Sequence, residues 1–331
     1  MSIMNYIDRN SVSKSTVSLL FIFILNFVVV TGFRISDSDI ENLKFQRKRE
    51  RTSGARIENG VEVAEGEFPF IVSVIRNNSK ARNVSESQGF GTLLTLAHVL
   101  TTCVNLIVEN GRVKIDVNRL AKPRDVRVVA GSVDRRNTAE RITVYGKQLK
   151  VHPLCARTQI SLVYDFGLIL LETAFELKKG RIEPLRFPDY SCLTLVNRLV
   201  NEFAECVITG WGSDQGTEGH QTLEKLPVYL ATYESCRKMI VKATEKSRHG
   251  PDEFVDLVQV CATGIRGHQT FCGVDAGGPL ICRDQDKDVM VGLISYIPGA
   301  GNDCSRQLWQ PIVFARVDVV QDFIGEFVNS T

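Results

Sequence analysis

From Ile57 onward the chain is a series of short apolar runs separated by turn residues. Phe68 to Ile75 (FPFIVSVI), Asp125 to Gly131 (DVRVVAG), Glu140 to Val151 (ERITVYGKQLKV) and Val289 to Ile297 (VMVGLISYI) are rich in β-branched and aromatic residues. Their lengths, with Gly and Pro between them, predict strands, and many such strands in series predict a sandwich or barrel. Toward the C-terminus the period changes. In Ala315 to Val328 (ARVDVVQDFIGEFV) the apolar residues Val319, Val320, Phe323 and Phe327 recur at helical spacing, which predicts a helix docked on the β structure.

The first fifty-six residues carry a different pattern. Val17 to Val30 (VSLLFIFILNFVVV) is an apolar run with Arg9 and Lys14 before it and small residues up to Gly32 after it. That length suits a signal-peptide core better than a membrane span, which needs about 20 apolar residues. An uncleaved anchor is the alternative. Residues 33–56 are polar and include Lys44 to Arg51 (KFQRKRER), which predicts an exposed, protease-sensitive segment. The expected organisation is therefore a signal peptide at 1–32, a propeptide or linker at 33–56 and a folded domain at 57–331.

Composition narrows the class. The chain has 331 residues, 44% hydrophobic and 24% charged, which is enough to bury a real core. A net charge of +2 does not suggest the clustered basic face of a nucleic-acid binder. The nine cysteines all lie between Cys103 and Cys304, and in an exported protein that predicts a disulfide framework. None sits in a CxxC pair, so neither a zinc site nor another metal or cofactor is expected. The odd count leaves at least one thiol without an intramolecular partner.

Several motifs stand in a telling order: RIENG (Arg56 to Gly60), GEFPFIVSV (Gly66 to Val74), DFGLILL (Asp165 to Leu171), CVITGWG (Cys206 to Gly212), CGVDAGGPLIC (Cys272 to Cys282), LISY (Leu293 to Tyr296) and PIVFARV (Pro311 to Val317). From Arg56 to about Val328 the chain resembles the trypsin-like, chymotrypsin-fold (S1) serine proteases. The resemblance implies an all-β domain of two packed six-stranded antiparallel barrels with a C-terminal helix.

The family's reaction needs a serine nucleophile, a histidine base and an aspartate that orients it. In this chain the nucleophile position is Ala276. Without gaps, VLTTCVN (Val99 to Asn105) overlays the histidine segment and puts Val104 at the base position. Asn105 and Gly89 then occupy the places of a cysteine pair. A rival alignment makes His98 the base at the cost of deleting about six residues, roughly a strand. Asp165 stands at the aspartate position. Val274 falls at the oxyanion-hole position, where the family has Gly, and Thr270, Ser295 and Ile312 fall at the specificity pocket. These substitutions predict a chain that is not an enzyme.

The same resemblance implies an activation cleavage between Arg56 and Ile57, with Asp275 placed to pair with the new amino group. It implies disulfides Cys206–Cys282, Cys236–Cys261 and Cys272–Cys304. Cys103–Cys155 is a further candidate pair, and Cys192 is left free or bridged to another chain. Asn77, Asn83 and Asn329 begin glycosylation acceptor motifs, two of them in the polar stretch Arg76 to Gln88, read as a loop insertion. The expectation is a secreted, extracellular, non-catalytic protease homologue. It would bind extracellular proteins, active proteases or their substrates, as cofactor, decoy or adaptor, with no nucleic-acid partner and no membrane contact once the signal is removed. Non-catalytic relatives in arthropod haemolymph and reproductive fluid give that reading a setting. The alternatives are a weakly active endopeptidase using His98, and a disulfide-linked extracellular scaffold.

Overall fold

The computed structural model describes residues 61–78, 85–108, 115–157, 162–185, 194–211, 222–245, 252–264, 276–285, 287–298 and 311–331. In chain order the first strands are β1 (Val61–Glu62), β2 (Ile71–Asn78), β3 (Ser85–Leu93), β4 (His98–Thr101), β5 (Val126–Ala130) and β6 (Ile142–Val151). Then come β7 (Ala156–Arg157), β8 (Leu162–Val163), β9 (Gly167–Leu171), β10 (Glu205–Gly210) and β11 (Glu224–Leu230). The last are β12 (Gln259–Gly264), β13 (Pro279–Asp284), β14 (Lys287–Tyr296) and β15 (Ile312–Arg316). The helices are α1 (Cys103–Leu106), α2 (Thr194–Asn201), α3 (Tyr233–Thr244) and α4 (Gln321–Ser330).

These strands close into two six-stranded antiparallel barrels. The first runs β2-β3-β4-β9-β6-β5 and closes where Ser73 to Arg76 pair with Val126 to Val129. The second runs β11-β10-β13-β14-β15-β12 and closes through β11 and β12, with β1 added to the outside of β11. Closure leaves neither barrel with an unpaired edge, the usual weakness of an antiparallel sheet.

Side-chain alternation explains the inside and outside of each strand. Along β6, Val144 and Gly146 point inward while Thr143, Tyr145 and Lys147 are exposed. A bulge between Gly146 and Gln148 then shifts the phase, so that Leu149 and Val151 are the next inward residues. Strands β4 and β9 are buried throughout. Their second face lies beneath α4, whose Phe327 ring meets the His98 ring edge-on at 5.9 Å. A C-terminal helix docks on the β structure as its apolar spacing predicts, with Phe323, Ile324 and Phe327 buried.

Two local expectations change. The helix starts at Gln321, not Ala315, because Ala315 and Arg316 pair in β15 with Gln259, Leu293 and Gly292. Sheet pairing outweighs the local helical period there. The polar stretch Arg76 to Gln88 is also less of a loop than its composition suggests: β2 and β3 continue as a ladder out to Asn78 and Ser85. Ladder bonds are made by the backbone and do not require apolar side chains. Arg76 is buried, and its Nε donates to the Asn105 carbonyl at 3.2 Å.

Disulfides join Cys206 to Cys282, directly opposite each other on β10 and β13, and Cys236 on α3 to Cys261 on β12. A third joins Cys103 to Cys155. Each such bridge stabilises a fold by about 2–4 kcal/mol, mainly by restricting the unfolded chain. Among the described residues, no helix is long and apolar enough to cross a membrane.

Candidate functional site

Asp165 sits just before β9, where the chain passes through Tyr164 in the left-handed region (φ 48°). Its carboxyl group is buried. Oδ2 accepts a hydrogen bond from Ser295 Oγ at 2.7 Å, and Oδ1 accepts one from the backbone N–H of Val104 at 3.2 Å. Burial pushes the carboxyl pKa up to about 6, against the opposing pull of the Ser295 and Val104 hydrogen bonds and the Arg157 charge. The dominant cause is the cost of a charge out of water.

Ser295 reaches this carboxyl because of a bulge. Ile294 pairs with Phe314 and Tyr296 with Val313, so Ser295 is the extra residue on β14. A bulge re-aims the side chain it carries, and here a hydroxyl of the second barrel meets a carboxyl of the first. The bulge lies outside what the residue pattern reveals, and the sequence reading placed Ser295 only at the pocket.

Val104 belongs to α1, the single turn that follows β4. The structure brings its backbone N–H to Asp165. His98 lies elsewhere. Its Nδ1 is 2.7 Å from Thr95 Oγ1 and its Nε2 is 2.8 Å from Thr331 Oγ1, and burial lowers its pKa. Both ring nitrogens are thus engaged at the α4 side of the first barrel, while both oxygens of Asp165 are engaged by Ser295 and Val104.

Ala276 is buried at the start of the turn into β13. Its carbonyl accepts two bonds from the first barrel, from Phe90 N–H and from Asn105 Nδ2, each at 2.9 Å. Asn105 Nδ2 also donates to Thr101 Oγ1 at 2.9 Å, and Thr101 Oγ1 donates to the Phe90 carbonyl at 2.6 Å. The next residue, Gly277, has φ 92°, and a Cβ there would collide with the Phe90 carbonyl. Only glycine fits that backbone and that space. The turn is held by a buried polar clamp.

Gly89 and Asn105 also meet. A Cβ on Gly89 would lie 2.5 Å from Asn105 Cγ, so the carboxamide fills the space a Gly89 side chain would take. The pair sits where the resemblance puts a cysteine bridge. Sequence reasoning noted the missing cysteines and missed the clamp, although Thr101 and Asn105, four residues apart, were a visible signal.

Ile312, which the resemblance assigns to the specificity pocket, is buried in the core of the second barrel and pairs with Ala262. Cys103, Cys155 and Asp165 have potential metal-binding atoms within 4.8 Å of one another. With the two sulfurs joined, no thiolate is available to an ion there. Asn77 lies in β2 with its Oδ1 3.4 Å from Arg127 Nη1, and Asn329 is exposed on α4. Arg56, Ile57, Asn83, Cys192, Thr270, Cys272, Val274, Asp275 and Cys304 lie outside the described residues.

The two barrels and the C-terminal helix define a chymotrypsin-like domain, and comparison with known proteins gives the family. The Trypsin family model matches residues 57–324, and the chain belongs to that family. It is similar to rat mannan-binding lectin serine protease 1, 23% identical over 267 residues, covering 80% of this chain and 34% of that protein. It is also similar to bovine coagulation factor XI, 25% identical over 275 residues, covering 82% of this chain and 37% of that protein. The chain spans about a third of the length of these curated relatives.

These findings correct one expectation. The residues at 104, 274 and 276 predict a chain that is not an enzyme. The family match points to a peptidase, and a matched relative is named a serine protease. The physical reason for the error is that the reading weighed side chains one at a time. A reactive group in a cleft is defined by geometry and can be drawn from any segment lining it, or from water. Ala276 itself offers only a methyl group.

Proposed function

We propose that this trypsin-family domain acts in an extracellular proteolytic network and engages a protein partner through the inter-barrel cleft, as a cofactor, decoy or adaptor. The observation that supports this reading most is the hydrogen-bonded junction between the barrels. Ser295 braces Asp165, and Asn105 and Phe90 clamp the turn at Ala276, while the half-buried side chain beside them at 104 is apolar. A preformed, partly apolar surface binds a partner without the entropy cost of ordering itself.

The same reading includes secretion by way of the segment 1–32, cleavage between Arg56 and Ile57 with Asp275 receiving the new amino group, and glycans on Asn77, Asn83 and Asn329. A bridge through Cys192 would add a covalent partner. The test is capture from the native extracellular fluid with the full chain, before and after trypsin treatment. Recovery of a protease or protease substrate, lost when Val104→Asp puts a charge on the cleft, is the expected result. An undiminished yield with Val104→Asp would remove the cleft from the account.

A second reading, peptide hydrolysis, is favoured by the family and by the relative named a serine protease. A fluorophosphonate probe separates the two. Stoichiometric labelling of the Arg56-cleaved chain, mapped by peptide mass, would establish hydrolysis and name the nucleophile.

A further inference from the structure

The C-terminal helix rests on two histidines of the first barrel. Phe327 of α4 meets the His98 ring edge-on at 5.9 Å, and Phe323, one turn earlier, meets the His152 ring at 4.9 Å. Residues four apart lie on one face of a helix, so both imidazoles stand under the same side of α4. His152 directly follows β6 and stacks flat on Tyr164, with ring centroids 4.7 Å apart. Its Nδ1 accepts the Leu154 backbone N–H at 3.2 Å. A backbone N–H can only donate, so Nδ1 carries no proton and the ring is neutral. At His98 two hydroxyls fix the same state. Thr95 Oγ1 already accepts the N–H groups of Ala97 and His98, each at 3.1 Å, so its own proton goes to His98 Nδ1 at 2.7 Å. Thr331 Oγ1 donates to the Phe327 carbonyl at 2.7 Å, so it accepts from His98 Nε2–H at 2.8 Å. A directed chain of hydrogen bonds therefore runs from Thr95 through His98 and Thr331 to the backbone of the helix.

A proton added to either ring lands on Nδ1 and turns an acceptor into a donor. At His98 it would face the Thr95 hydroxyl proton, and at His152 the Leu154 N–H. Burial lowers both pKa values, and the Lys150 charge adds to the effect at His152. Lys150 Nζ lies 5.1 Å from the Phe323 ring centroid and 3.8 Å from Glu326 of α4, so one cation and one exposed carboxylate face that end of the helix. Tyr164 is the other titratable group in contact with His152. His98 is lowered by burial alone. Both folded values lie below the ordinary 6.5, so the hold on α4 is complete above 6.5 and is lost as pH falls through the lowered values. We propose that His98 and His152 form an acid-sensitive clasp on α4, and that protonating them releases the helix from the barrel and uncovers Phe323, Ile324 and Phe327. The clasp is separate from the cleft and does not depend on how the cleft is read.

The test is amide hydrogen exchange of the full chain at about pH 7.5 and about pH 5, corrected for the intrinsic rate. Protection of Gln321–Ser330 is expected to fall about tenfold or more on acidification, while the amides of β4 and β9 keep theirs. A local readout separates the clasp from Asp165, whose raised pKa acts on stability in the opposite sense. The double variant His98→Gln/His152→Asn keeps a neutral amide at each place and should show no such fall. Gln offers an N–H in the position of Nε2, and Asn an oxygen in the position of Nδ1. Where that variant does not fold, nitrogen NMR of the two imidazoles in the unmodified chain decides, with both expected as the Nε2–H tautomer and titrating below 6.5. Unchanged protection of the helix in acid, an equal fall in the double variant, or a loss shared equally by β4 and β9 overturns the proposal. Either ring titrating at or above 6.5 also overturns it.

Discussion

Ser295 Oγ donates a 2.7 Å hydrogen bond to Asp165 Oδ2, and in doing so ties the second barrel to the first through a buried carboxyl group. Val104, in the single turn α1 of the first barrel, gives that carboxyl a backbone N–H and no positive charge. The elevated pKa of Asp165 follows from that arrangement.

Asp165 should therefore make stability depend on pH. Its pKa rises from 3.8 to about 6 on folding, so the folded state binds the proton more tightly than the unfolded state. The contribution is fully present below 3.8 and is lost as pH rises through about 6. Over that window the shift corresponds to on the order of 3 kcal/mol. Thermal unfolding from pH 4 to 8 is expected to show a fall in Tm that Asp165→Asn abolishes. A wild-type profile as flat as that of the variant would remove the effect.

Asn105→Ala should destabilise the domain by about 1–3 kcal/mol, because the Ala276 carbonyl and Thr101 hydroxyl each lose a buried partner. The paired change Gly89→Cys/Asn105→Cys should restore a covalent link, since the two positions are in contact. Mass spectrometry of non-reduced peptides reads the bridge directly. The doubly substituted chain is expected to unfold at higher denaturant than Asn105→Ala.

Gly277→Ala combines a left-handed backbone with a collision against the Phe90 carbonyl. A loss of more than about 2 kcal/mol is expected, well beyond the roughly 1 kcal/mol or less that follows from glycine's flexibility alone. Urea unfolding measures it. A change within 0.5 kcal/mol (about the scatter of surface substitutions) would mean that the turn relaxes freely.

Arg316 forms a buried two-point pair with Asp318, at 2.7 and 2.8 Å, and also donates to Tyr233 OH at 2.9 Å. Removing one partner of a buried pair typically costs about 3–5 kcal/mol, because the other charge stays behind. Arg316→Met should show a loss of that order, and Arg316→Met/Asp318→Leu a much smaller one. Comparing the two by chemical denaturation distinguishes a stranded charge from lost packing.

Much of the barrel architecture was legible from residue patterns, because strand and turn preferences are local. Phe68 to Ile75 and Glu140 to Val151 alternate or cluster as barrel strands do, and β2 and β6 lie within or across them. Helical spacing located α4 but not its start. Ala315 and Arg316 are drawn into β15 by partners more than twenty residues away, which no local window contains.

At the cleft, the amino-acid sequence alone determined which side chains stand at 104, 165 and 276, and so which atoms are on offer: an isopropyl group, a carboxyl and a methyl. Tertiary structure decided what those atoms meet. It turned Ser295 onto Asp165 through a bulge, set Asn105 against Gly89 and the Ala276 carbonyl, and carried His98 to Thr331. Residue identity is written along the chain, whereas burial, pKa and hydrogen bonding arise between segments far apart in it.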